Sequence, residues 1–68
     1  MPKLTETEKR VLIQIGTGLS NQEAADVLGV SRRTIDFHLA NIFHTFNVKN
    51  RIAALREAVR HQQIPSPF

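Results

Sequence analysis

The sequence predicts an all-α fold of four helices. Three observations carry this expectation. Threonine, serine and asparagine residues with N-capping chemistry stand ahead of apolar-periodic runs at Thr5, Ser20, Ser31 and Asn50. The apolar residues inside each run recur at three- and four-residue spacing, which lines one face of an α-helix rather than alternating as in a strand. The stretch Asn21–His38 also reads as two helices joined by a tight turn, with Ala25, Gly29 and Ile35 at the three sterically demanding positions.

The first helix opens on Thr5-x-x-Glu8, a capping box in which the hydroxyl takes a backbone N–H and the glutamate reaches back. Val11, Leu12 and Ile15 follow at helical spacing, with Leu4 and Leu19 at the ends. Gly16 and Gly18 weaken and then stop the helix. Ser20-x-x-Glu23 repeats the capping box. Ala24, Ala25 and Leu28 form the inner face of the second helix, which Gly29 closes. Ser31 caps a third helix, expected over about 32–46, whose buried stripe is Ile35, Leu39, Ile42 and Phe46. Asn47 stands where a left-handed residue is expected, and asparagine tolerates that conformation better than most. Asn50 caps the last helix, marked by Ile52, Ala54, Leu55, Ala58 and Val59 and ending near His61. One domain is expected over 1–68, with 1–4 and 62–68 loose.

The turn between the second and third helices follows from side-chain size. Ala25 lets the two helices cross at close range. Gly29 adopts a left-handed backbone without a Cβ clash. Ile35 then points back into the angle between the helices. A helix held out from a small body in this way is shaped to enter the major groove of DNA.

Charge supports the same partner. Up to Val30, Lys3, Lys9 and Arg10 face the four carboxylates of Glu6, Glu8, Glu23 and Asp26, a net −1. From Ser31 onward Arg32, Arg33, Lys49, Arg51, Arg56 and Arg60 face only Asp36 and Glu57, a net +4. The positive charge begins at the third helix, as a phosphate-binding surface requires, and a solubilising basic face is the alternative reading of the same pattern. The 68 residues suffice for one small domain with a limited core. There is no cysteine, hence neither a disulfide nor a thiolate metal site. His38 and His44 are six apart, on different faces of one helix, so no metal ligation is expected. His38 is expected half-buried and hydrogen-bonded within the domain, with a phosphate contact as a secondary role. No apolar run approaches membrane-spanning length. A Gly-rich phosphate loop, a carboxylate cluster and a catalytic triad are all lacking, so no enzyme activity, cofactor, membrane partner or small-molecule ligand is expected.

Leu4-Thr5-x-x-Glu8, Val11-Leu12, Gly18-Leu19-Ser20-Asn21-x-Glu23, Ala25, Leu28-Gly29-Val30-Ser31, Thr34-Ile35, His38, Asn41-Ile42, Val48 and Asn50-Arg51-x-x-Ala54 together resemble the LuxR/GerE-type helix-turn-helix domain. The likeness runs from Leu4 to Ala58. It implies a four-helix DNA-binding domain of bacterial transcription regulators, a third helix in the major groove, and a fourth helix joining two subunits on a two-fold symmetric site. Four positions depart from the family pattern. Ala24 replaces a large aliphatic residue, and Phe46 replaces a leucine. Thr45 stands where the family often has a lysine, which removes one phosphate contact. Asn47 replaces a glycine.

Within this frame, the amides and hydroxyls at the start of the third helix, at Ser31, Arg32 and Thr34, are placed to take a phosphate. Arg32 and Arg33 reach phosphate or guanine. Lys49 and Arg51 flank the start of the last helix as backbone clamps, or Arg51 pairs with a carboxylate inside the domain. With Ile35, Leu39 and Ile42 inward, Asp36, Phe37, Ala40 and Asn41 face out. The resemblance points to Asp36, Phe37 and Ala40 as readers of base edges, and Asn41 is counted with them. Asp36 can accept from cytosine N4 and Phe37 can touch a thymine methyl. The alternatives are an ion pair between Asp36 and Arg32 or Arg33, and a ring of Phe37 packed beside Leu39. Ile52, Leu55 and Val59 form either a dimer seam or ordinary core.

The expected function is therefore sequence-specific binding of double-stranded DNA in transcription regulation, as a cytoplasmic homodimer. The chain serves either as the output end of a longer response regulator or as a stand-alone regulator. The alternative is a helical protein-interaction module that uses Phe37, Phe43 and the last helix as an apolar face.

Overall fold

The computed structural model describes residues 3–66. Four helices follow one another: α1 (Glu6–Gly16), α2 (Asn21–Leu28), α3 (Arg32–Phe46) and α4 (Arg51–Arg60), with no strand among the described residues. Each start is set by the residue expected to cap it. The Thr5, Ser20 and Ser31 hydroxyls and the Asn50 carboxamide oxygen accept from the amides of Glu8, Glu23, Thr34 and Ala53. Both capping boxes are complete: the carboxylates of Glu8 and Glu23 accept from the amides of Thr5 and Ser20, each at 2.9 Å. Each box satisfies two of the amides a helix start leaves unpaired.

The ends are equally local. Gly29 adopts φ 70°, ψ 32°, and the Val30 amide donates back to the Ala25 carbonyl at 3.0 Å. This 6→1 closure stops α2 and reverses the chain. Asn47 repeats it at the end of α3 with φ 53°, ψ 48° and a bond from Val48 N to Phe43 O of 2.9 Å. A third closure, which the sequence does not announce, ends α4. Gln62 has φ 59°, and the Gln63 amide donates to the Ala58 carbonyl at 2.8 Å.

The core gathers one face from every helix: Val11, Leu12 and Ile15 from α1, Ala24 and Ala25 from α2, Ile35, Leu39, Ile42 and Phe46 from α3, and Ala54, Leu55 and Ala58 from α4. Helix α3 touches all three of the others. Its inner stripe is therefore fixed by packing on every side, which holds its outer face at a set angle to the body.

Of the residues expected to be loose, Leu4, Gln63 and Ile64 are held against the body. Leu4 and Ile64 are both buried in the core, Ile64 with 6% of its surface exposed. The Leu4 amide donates to Gln63 Oε1 at 3.0 Å across a sequence separation of 59. The turn at Gln62 folds the tail back over α1 and α4, and Ile64 gains an apolar environment there. Residues 1, 2, 67 and 68 lie outside the described residues.

Candidate nucleic-acid interface

Packing divides α3 into two sides. Ile35, Leu39, Ile42 and Phe46 are buried, whereas Asp36, Phe37, Ala40 and Asn41 are exposed. Phe37 exposes 63% of its surface and does not pack beside Leu39; its ring meets the half-buried His38 edge-on, with centroids 5.8 Å apart. No hydrogen bond holds His38 among the described residues. Instead it lines a shallow cleft with Thr7, Arg10, Val11, Leu28 and Val30.

At the start of α3, Arg32 and Arg33 are exposed. Their backbone amides precede the first intrahelical acceptor and carry the positive end of the helix dipole. The Ser31 hydroxyl accepts from Thr34 N at 3.1 Å and lies 2.9 Å from the Thr34 hydroxyl. The two side chains therefore cap the helix first and hold its open amides in place. Thr45, the position lacking the family's lysine, donates its hydroxyl to the Asn41 carbonyl at 2.9 Å.

Asp36 forms no ion pair with Arg32 or Arg33 among the described residues. Its Oδ1 accepts from Asn21 Nδ2 at 2.8 Å, and the same amide's Oδ1 accepts from Arg51 Nη2 at 2.8 Å. Arg51 is half-buried and held by this contact, and it makes no direct carboxylate pair among the described residues. Lys49 is exposed beside it. No motif in the sequence assigns Asn21 this role. One signal was present: Ser20 and Glu23 complete the α2 cap by themselves, which leaves the Asn21 amide without local work.

The three residues expected at a dimer seam separate. Ile52 exposes 53% of its surface, Val59 is partly buried against the core, and Leu55 is buried at 4%. Leu55 is a core residue because α4 lies close to Gly16 of α1. Ile52 borders two open clefts, one with Ile15, Gly18 and Leu19 and the other with Val48, Ala53 and Arg56. Among the described residues no cluster of side chains suits a metal ion, and no helix is long and apolar enough to cross a membrane.

Residues 2–58 match the family described as bacterial regulatory proteins, luxR family. The chain is 43% identical over 51 residues to the nitrate/nitrite response regulator protein NarP of Escherichia coli, covering 75% of this chain and 24% of that protein. It is 41% identical over 56 residues to the transcriptional activator protein AnoR of Acinetobacter nosocomialis, covering 82% and 24%. It is 36% identical over 61 residues to the response regulator protein VraR of Staphylococcus aureus, covering 90% and 29%. The chain thus spans about a quarter of the length of these relatives. A family match across most of the chain and four helices with a glycine-closed turn between α2 and α3 agree: the chain belongs to the luxR family of bacterial regulatory proteins, with that family's helix-turn-helix fold.

Proposed function

We infer that this domain binds double-stranded DNA sequence-specifically in transcription regulation, with α3 in the major groove. The observation that carries this reading is the outer face of α3. A side chain as apolar as Phe37 stands largely in solvent beside the exposed Asp36, Ala40 and Asn41, on a helix whose other side is buried throughout. Displayed aromatic surface on a small domain is otherwise a solubility cost, and a thymine methyl is a fitting contact for it. Arg32, Arg33 and Lys49 are exposed near one end and the start of α4, where they neutralise phosphates, with the amides of α3's first turn as further donors.

Binding as a homodimer through α4 is part of the same reading. Ile52, in solvent between two clefts, supports a seam centred on Ile52 with Val59 at its margin. The names of the relatives, two response regulators and a transcriptional activator, favour an output role in a regulator, and a DNA-binding role of this kind belongs to the bacterial cytoplasm. The protein-interaction alternative loses one of its rings, because Phe43 packs against the core.

Selection of DNA from a random pool, repeated across a salt series, tests the proposal. An enriched two-fold symmetric sequence whose affinity falls steeply with salt is the expected result. No enrichment at low salt, or binding insensitive to salt, overturns it.

A further inference from the structure

Asn21 stands one residue inside α2, where its side chain takes no part in capping. It joins three helices instead. Helices α2 and α4 make no backbone-level contact. The 2.8 Å bond from Arg51 crosses that gap, and the 2.8 Å bond to Asp36 reaches the exposed face of α3. A carboxamide suits this place because it is both donor and acceptor. The guanidinium only donates and the ionised carboxylate only accepts, so the amide has one satisfactory orientation between them. A second carboxylate at this position would repel Asp36, and a lysine would repel Arg51.

We propose that Asn21 is a positioning residue for sequence readout: it holds the Asp36 carboxylate by Oδ1 on the outer face of α3 and leaves Oδ2 for a base-edge amino group such as cytosine N4. No described residue donates to Oδ2. An exposed aspartate with no partner moves among its staggered rotamers, and ordering it on binding costs affinity. The bond from Asn21 sets that rotamer before DNA arrives. Arg51, half-buried at the start of α4, fixes Asn21 in turn. The guanidinium thus acts on readout through two hydrogen bonds and touches no base.

The inference rests on the DNA-binding reading, and one experiment separates the two. The site enriched by the parent chain is varied to all four base pairs at every position. Binding is then measured for the parent, Asn21→Asp, Asn21→Ala, Asp36→Ala and the Asn21→Asp/Asp36→Ala double variant, with thermal unfolding as a check on folding. Asn21→Asp is the informative change. A carboxylate in the first turn of α2 suits the helix dipole and still accepts from Arg51, but it repels Asp36. The expected result is a loss of preference, on the order of fivefold, at the one base pair that Asp36→Ala also relaxes. Other positions stay unchanged, and the double variant loses no more than Asp36→Ala alone. Asn21→Ala is expected to show the same local loss. A profile identical to the parent's, or a uniform weakening at every position, overturns the positioning role and leaves DNA binding standing. A parent chain that enriches no site overturns both.

Discussion

Gly16 and Leu55 meet so closely that a Cβ on Gly16 would stand 3.0 Å from Leu55 Cδ1. This approach of α1 and α4 makes Leu55 a core residue rather than part of a surface seam. Leu55→Ala should lower stability by about 2–5 kcal/mol, the usual range for a buried leucine. Ile52→Ala, at an exposed position one turn away, should stay within about 0.5 kcal/mol of the parent. Urea unfolding of the two variants checks the contrast. Equal losses would mean that α4 packs differently. If α4 also joins two copies on DNA, Ile52→Ala weakens cooperative binding to a two-half site while leaving single half-site affinity alone.

The helices were legible in the sequence because each is decided within a few residues. Thr5, Ser20, Ser31 and Asn50 cap over a span of three, and Gly29 and Asn47 close turns over five. The stripe of Ile35, Leu39, Ile42 and Phe46 is likewise read from one helix's own period. What the sequence hides is set by distance along the chain. Leu4 bonds Gln63 59 residues away, and Asn21 reaches 15 residues to Asp36 and 30 to Arg51. No local pattern announces those pairs. Ile64 stands in a terminal segment, where looseness is the ordinary expectation, yet the turn at Gln62 brings it into the core. The outer face of α3 was legible by subtraction once the inner stripe was known, but the partner of Asp36 was not.

The tail carries stability that its composition does not advertise. Ile64→Ala should cost about 2 kcal/mol or more, since it removes buried apolar volume and leaves a cavity beside α1. A core of this size rarely supplies more than about 3–5 kcal/mol in total, so the loss is a large share. Deleting residues 64–68 should therefore lower the thermal midpoint sharply. An unchanged midpoint would show that the tail is not docked in solution.

Among the described residues, two without glycine's freedom hold left-handed backbone, Asn47 at φ 53° and Gln62 at φ 59°. Glutamine has no short side chain to ease that conformation, so Gln62→Gly should stabilise the domain by somewhat under about 1 kcal/mol. Asn47→Ala should destabilise it by about 1 kcal/mol, because alanine meets the Cβ clash without asparagine's local hydrogen bonding. Urea midpoints at constant slope measure both. Movement of Gln62→Gly in the opposite direction would mean that the third helix closure does not persist.

Glu23 links the second capping box to pH. The Ser20 amide, and then the Ser20 hydroxyl, stabilise its ionised form and hold its carboxyl below the usual glutamate range. The folded state therefore binds that proton less readily than the unfolded chain. The contribution is complete above the ordinary glutamate value and is lost as pH falls through the lowered one. The side chain is fully exposed, so the effect is small. Glu23→Gln keeps a side-chain oxygen for the Ser20 amide and cannot titrate. Its thermal midpoint should fall less than the parent's between about pH 7 and pH 3. Parallel acid limbs would rule out Glu23 as a source of acid sensitivity.

Phe37 and Arg32 lie on the same helix and are both exposed, yet their replacement should leave different marks. Neither side chain supports the core, so Phe37→Ala and Arg32→Ala should each unfold within about 0.5 kcal/mol of the parent. On the selected DNA, Phe37→Ala should lose preference at one base pair, where a methyl contact disappears, with the salt dependence unchanged. Arg32→Ala should weaken binding to every sequence alike and reduce the slope of log affinity against log salt by about 1, the signature of one lost phosphate contact. A changed salt slope for Phe37→Ala, or a change at a single base pair for Arg32→Ala, would reverse these roles and place the arginine at a guanine edge. The comparison needs stable variants, and the burial pattern of α3 supplies them: the face that would touch DNA is the face the fold does not use.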